Sequence, residues 1–223
     1  MLSNNRIVIT GAAGTLGQAT AKIAKEKGAY TIGLDLIDTQ SLPHIDSYYQ
    51  VDLMSRESTA ACFDSIGHFD ALANIAGGFT MGQDVADPSD EQWDWMFRIN
   101  VETLRNVVIS AVPVLKAQGR GKIVNIGALG ALSGAGAMSA YCCAKSAVMR
   151  LTESLSEELK TEGVNVNAVL PSIIDTPPNR EAMPDANFSE WVAPEKLAQV
   201  ICFLASEEAS AVHGALLPVK GLV

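Results

Sequence analysis

Residues 7–17 read Ile7-Val8-Ile9-Thr10-Gly11-Ala12-Ala13-Gly14-Thr15-Leu16-Gly17. Three consecutive β-branched apolar residues describe a strand covered on both faces, because a half-solvated strand would alternate polar with apolar. A glycine-rich turn follows and opens directly into a helical pattern. Glycines there permit a tight turn, let the backbone approach a pyrophosphate, and let strand and helix pack closely. The helix start adds free N–H groups and a positive dipole end. Gly11, Gly14, Thr15, Leu16 and Gly17, set between strand and helix, predict a dinucleotide site.

Outward from this stretch, short apolar runs alternate with longer helical patterns. Strands are expected at Arg6–Thr10, Tyr30–Asp35, Ser47–Val51, Asp70–Asn74, Lys122–Gly127, Val164–Leu170 and Ala215–Val219. Helices are expected at Thr15–Lys27, Ser55–Ile66, Asp90–Leu115, Ala140–Thr161 and Pro194–Ala205. This order implies an α/β fold, a single doubly wound parallel sheet of Rossmann type with helices on both faces, spanning residues 1–223 as one domain. The connection between Asp35 and Asp52 contains Pro43 and is too short and polar for a full helix. A polar, proline-rich segment, residues 172–194, falls beyond a strand's carboxyl end, where it can cover a substrate.

The 223 residues carry 16 Lys+Arg against 25 Asp+Glu, a formal charge of −9, which disfavours nucleic acid and anionic lipid as partners. The densest apolar stretch, Val107 to Leu115, falls short of the roughly 18 residues of a membrane span. The first strand starts at Arg6, leaving no space for a signal peptide. The cysteines at 62, 142, 143 and 202 form no C-x-x-C, so a reduced, cytoplasmic chain is expected. The three scattered histidines offer no metal-ligand spacing.

Asp35 ends the second strand, placed to accept hydrogen bonds from adenosine ribose hydroxyls and to repel a 2′-phosphate. Leu36 and Ile37 follow it, and neither supplies the cation such a phosphate needs, so NAD(H) is expected over NADP(H). Tyr141 and Lys145 stand four apart on one helix face. A neighbouring ammonium favours the phenolate and is expected to lower the tyrosine pKa.

Together these residues resemble the short-chain dehydrogenase/reductase family. The glycine loop, Asp52-Leu53, Asn74-Ile75-Ala76-Gly77, Asn100, Tyr141-x-x-x-Lys145 and Pro171-x-x-Ile174-x-Thr176 occur in that family's order and spacing. The resemblance implies hydride transfer at a nicotinamide, with Tyr141 as proton donor and Lys145 holding the nicotinamide ribose. It further implies that Asn100 fixes a water of the proton relay and that Asp52 and Leu53 meet the adenine. Asn74, Ala76 and Gly77 would shape the cofactor floor, and Pro171, Ile174 and Thr176 the carboxamide end. In the family the helices corresponding to 90–115 and 140–161 build a subunit interface, so a homodimer or homotetramer is expected. Trp93 and Trp95 are read as packing or interface residues.

One departure is chemical. The fifth strand runs Ile123-Val124-Asn125-Ile126-Gly127-Ala128, and Ala128 occupies the position of the family's catalytic serine. Losing an oxyanion donor typically costs ~10²–10³ in rate. The substrate does not need the hydroxyl, or Ser133 or Ser139 replaces it, or the protein no longer turns over. A narrower similarity bears on the choice. Gly127-Ala128, Gly136-x-Met138 and the run Asp175-Thr176-Pro177-x-Asn179-Arg180-x-x-Met183-Pro184-x-Ala186-x-Phe188-Ser189-x-Trp191 resemble the dihydropteridine reductase branch. That branch lacks the serine, prefers NADH and reduces quinonoid dihydropterin, a conjugated acceptor on which no isolated alkoxide forms. It implies that Ala128 and Trp191 face substrate, although Trp191 and Phe188 can equally be packing anchors of a lid. The alternatives are a carbonyl or alcohol dehydrogenase using a substitute serine, and a non-catalytic NAD-binding sensor.

Overall fold

A computed structural model of the chain describes residues 2–39, 41–87 and 89–223. Its seven strands are β1 (Arg6–Thr10), β2 (Tyr30–Asp35), β3 (Ser47–Gln50), β4 (Ala71–Asn74), β5 (Gly121–Ile126), β6 (Val164–Pro171) and β7 (Leu216–Val219). All neighbours pair in parallel, in the order β3-β2-β1-β4-β5-β6-β7. The chain therefore moves one way from β1 to β3 and the other way from β4 to β7. The switch between β1 and β4 leaves a crevice at the strands' carboxyl ends, the usual ligand position in such sheets.

The unbroken apolar runs follow from two separate cores. Ile7, Ile9, Ala73, Val124 and Ile126 pack with α1 (Thr15–Glu26) and α7 (Pro194–Leu204) on one face. On the other, Val8, Ile32, Leu34, Leu72 and Ile123 pack with α2 (Arg56–Ile66) and with Val107, Ala111 and Leu115 of α4 (Thr103–Gln118). Successive residues of one strand thus serve opposite cores, so neither face can be polar. As expected, no helix is found between β2 and β3 among the described residues. No helix among the described residues is long and apolar enough to cross a membrane.

One expectation needs correction. The pattern 90–115 is not one helix but α3 (Glu91–Phe97), a π-helical turn (Arg98–Glu102) and α4. The wider turn contains Asn100, whose side chain bonds to the backbone of both Met96 and Gly78. Segment 172–194 contains a short helix. Thr176 caps α6 (Pro177–Ala182) by accepting from Asn179 N–H at 3.4 Å, and its two prolines occupy the first helical positions, where no N–H is needed. The segment is tied back by a bridge between Ile174 and Val192 and by Asp175 N–H donating to Val192 C=O at 2.9 Å. The remaining long helix is α5 (Ser139–Leu159).

Candidate functional site

The glycine turn is shaped by what a side chain would meet. A Cβ on Gly17 would lie 2.1 Å from Gly11 O, and one on Gly11 would lie 3.0 Å from the backbone of Ala76, with Gly11 at φ +67°. Both glycines are required for β1, the head of α1 and the end of β4 to meet this closely. Gly14 is not: its Cβ would be 3.4 Å from the nearest atom, so the glycine at 14 leaves room for a ligand and not for the fold. Gly14 caps α1 without a side-chain bond, and the first N–H groups of that helix have no intrahelical partner.

A cleft of about 430 Å³ runs over this turn. Of the residues anticipated for a cofactor, Gly11, Gly14, Thr15, Leu16, Gly17, Asp35, Asp52, Leu53, Ala76, Gly77 and Thr176 line it. Asp35 Oδ2 accepts from Ala13 N–H at 2.9 Å, which holds the carboxylate at the edge of the glycine turn. Asp52 bends the chain by accepting from Met54 N–H at 2.9 Å. Leu36, Ile37, Ile99 and Pro178 complete much of the apolar lining.

Other anticipated residues stand elsewhere. Asn74 is buried, donating from Nδ2 to Asn125 Oδ1 at 2.8 Å, and Asn125 in turn donates to Thr152 Oγ1 at 2.9 Å. It supports the cleft from below the floor and does not line it. Pro171 ends β6, and Ile174 packs on the α1/α7 core. Trp191 is 7% exposed, lies 4.8 Å from Phe188 between ring centroids, and lines neither described cavity. Arg180 stacks over Phe188 at 4.7 Å and forms a two-pronged bond to Asp175 at 2.5 and 2.7 Å. The aromatic pair therefore anchors the segment, the packing alternative for Trp191.

Asn100 and Lys145 approach the cleft at Gly77. A Cβ there would be 2.8 Å from Asn100 Oδ1 and 3.3 Å from Lys145 Nζ. Lys145 is buried and donates to Ile126 C=O at 2.9 Å; burial pushes its pKa down to about 8. Tyr141 packs against the small cluster containing Ala128, Met149 and Leu170. The expected lowering of its pKa is not found: burial, with a smaller contribution from Cys142, pushes it up to about 12. Burial takes the phenol out of water and so disfavours its charged form. Ala128 is 4% exposed. Ser133 is exposed, whereas Ser139 lines a second cavity of about 160 Å³ with Gln83, Asp84, Asp87, Asp90 and Trp93.

Two residues that spacing did not suggest organise the site. Thr10 Oγ1 accepts from both Ile75 N–H and Ala76 N–H at 3.0 Å, joining the ends of β1 and β4. Asn106 Nδ2 donates to Leu53 C=O at 3.0 Å and Met54 C=O at 3.2 Å, pinning the wall near Asp52 to α4. A threonine closing a strand before glycine was a visible cue; the asparagine, inside an apolar helix, offered only its misfit.

This constellation defines a nicotinamide-dependent oxidoreductase of Rossmann type. A family profile for short chain dehydrogenase matches residues 5–187, and the chain belongs to that family. It is 27% identical to asnovolin H dehydrogenase of Aspergillus novofumigatus, over 96% of this chain and 94% of the relative. Carveol dehydrogenase from Mycobacterium avium, solved in complex with NAD, superposes with TM-score 0.86 at 25% identity, over 98% of this chain and 97% of the other. A gluconate 5-dehydrogenase from Beutenbergia cavernae with bound NADP gives 0.90 at 27%, over 99% and 96%. Family members with this fold thus bind either nicotinamide dinucleotide.

Proposed function

We propose that the chain is an NAD(H)-dependent reductase acting on a flat conjugated acceptor, with quinonoid dihydropterin the named candidate. The position of Gly77 carries this reading. It lines the cleft and at the same time adjoins Lys145 Nζ and Asn100 Oδ1, so the cofactor groove opens onto the acid–base side chains. When bound, the nicotinamide group supplies the hydride.

The chain's own contributions are binding and proton delivery. First-turn N–H groups of α1, reached past Gly11, Gly14 and Gly17, would hold the pyrophosphate. Asp35 would accept from the ribose hydroxyls and repel a 2′-phosphate, and no arginine lines the cleft to offset that repulsion. Asp52 and Leu53 would flank the adenine, and Ala76, Gly77 and Thr176 the nicotinamide end, with Pro171 and Ile174 behind. Burial that keeps Tyr141 protonated suits a proton donor in the reductive direction. Lys145 would stabilise the phenolate left behind. Asn100 Oδ1 and Lys145 Nζ, both close to Gly77, would hold a water that reprotonates it.

Ala128 separates this reading from an ordinary ketone reductase. A conjugated ring spreads the incoming charge, so no localised alkoxide demands a hydroxyl at that position. The polar cavity beside Ser139 offers Gln83, Asp84 and Asp87 as acceptors for the N–H groups of a pterin. Exposed Trp95 and Ile109, on α3 and α4, support a homo-oligomer, to be checked by sedimentation.

The test is steady-state NADH oxidation with quinonoid dihydropterin beside a panel of ketones, repeated with NADPH. Pterin turnover with NADH preferred is expected; ketone turnover alone would replace the acceptor assignment. Ser139 lining a cavity next to Tyr141 favours that second reading, a carbonyl or alcohol dehydrogenase. NADH binding with no turnover of either class would favour a sensor.

A further inference from the structure

Among the described residues no hydrogen bond holds the Tyr141 hydroxyl, so the direction of its ring rests on packing. One side is the Ala128 cluster. The other is Phe79, whose ring stands 4.8 Å from that of Tyr141 between centroids, with the planes at 89°. Phe79 remains 49% exposed, so part of its ring faces solvent.

Its loop is nevertheless fixed at both ends. Gly78 N–H donates to Asn100 Oδ1 at 3.2 Å, and Gly78 C=O accepts from Asn100 Nδ2 at 3.0 Å. Beyond Phe79, Gly82 N–H donates to Ala137 C=O at 2.8 Å, and Gln83 bridges to Met138, three residues before Tyr141. The side chain between these anchors is held against Tyr141 while half of it stays open. Edge-to-face geometry fixes a ring's orientation more tightly than aliphatic contact does, and an open aromatic face accepts a planar ring by offset stacking.

We infer that Phe79 is a specificity-determining residue: it positions the Tyr141 ring and offers its remaining face to a planar acceptor, favouring conjugated rings over open-chain carbonyl compounds. This rests on the reading of Tyr141 as the proton donor. The polar cavity beside Ser139 and the Phe79 face would then recognise different parts of one molecule, its edge and its plane.

The test compares full-length wild type with Phe79→Leu, which keeps apolar bulk without a ring, and Phe79→Tyr, which keeps the ring. Chains carrying ¹³C-labelled tyrosine report the Tyr141 ring resonances, identified by their loss in Tyr141→Phe. Kinetics are run with quinonoid dihydropterin and with an open-chain ketone, and NADH affinity is followed by fluorescence. Phe79→Leu is expected to move the Tyr141 signals, keep NADH affinity within about twofold, and lower the pterin-to-ketone ratio of kcat/KM at least tenfold. Phe79→Tyr should keep the Tyr141 signals, the NADH affinity and the ratio near their wild-type values. Unmoved Tyr141 signals, or an unchanged ratio in Phe79→Leu, overturn the inference alone. Wild-type enzyme that reduces no planar acceptor overturns both the inference and the acceptor assignment beneath it.

Discussion

Asn100 grips the peptide of Gly78 from both sides, accepting its N–H at 3.2 Å and donating to its carbonyl at 3.0 Å. The second amide hydrogen goes to Met96 C=O, also at 3.0 Å, so the side chain has no donor left for a ligand. Asn100→Ala would leave the part-buried N–H and C=O of Gly78 without this partner and remove a bond to the buried Met96 C=O of α3. A loss of about 2–3 kcal/mol is expected, read as a lower urea midpoint with unchanged slope. A change within experimental error would mean the clasp is not structural.

The glycines of the turn are expected to separate by role. Gly17→Ala puts a Cβ 2.1 Å from a backbone oxygen, which forces α1 away from β1 at a cost of about 1–3 kcal/mol or more. Gly14→Ala meets nothing closer than 3.4 Å and should fold normally while weakening NADH binding by crowding the ligand's approach. Thermal unfolding and fluorescence titration of the two variants would expose the split. Equal stability losses would erase it.

Strand positions were legible to within a residue or two, most clearly β1, β4 and β5, whose successive residues serve two cores. Gly11 and Gly17 were legible for a different reason: backbone sterics restrict the residue types that fit. Side-chain direction was not. The family resemblance put Asn74 at the cofactor floor, and its amide turns sideways to donate to Asn125. The break at Arg98–Glu102 depends on bonds from Asn100 to a loop twenty residues away, which no local pattern records. The six residues of α6 are too few to show a period. The direction of the Tyr141 pKa shift followed burial, a tertiary quantity, and not the helical spacing to Lys145.

Cofactor choice should turn on one charge. Asp35→Asn keeps an acceptor for Ala13 N–H and removes only the carboxylate's repulsion. The ratio of kcat/KM for NADPH over NADH is expected to rise about tenfold, roughly 1.4 kcal/mol. An unaltered ratio would place the discrimination elsewhere.

Stability should depend on pH through Lys145. Its folded pKa, about 8, lies below the ordinary 10.5, so between these values the unfolded chain binds a proton that the folded one has lost. Stability therefore rises from pH 8 to 10.5, by about 3 kcal/mol if nothing else titrates. Tyr141, pushed up from 10 to about 12, reverses the trend above pH 10. Urea midpoints at pH 7.5, 9 and 10 should climb in wild type and flatten in Lys145→Met. Parallel slopes would contradict the assignment to this lysine.

The most direct test of the account removes one oxygen atom. NADH affinity and the rate of quinonoid dihydropterin reduction are measured on the same samples of wild type and Tyr141→Phe. The account predicts unchanged NADH affinity and a rate lowered on the order of 10²–10⁴-fold, the usual contribution of a positioned proton donor. A variant that still reduces the pterin at close to the wild-type rate would contradict it, since the proton would then come from a group other than Tyr141.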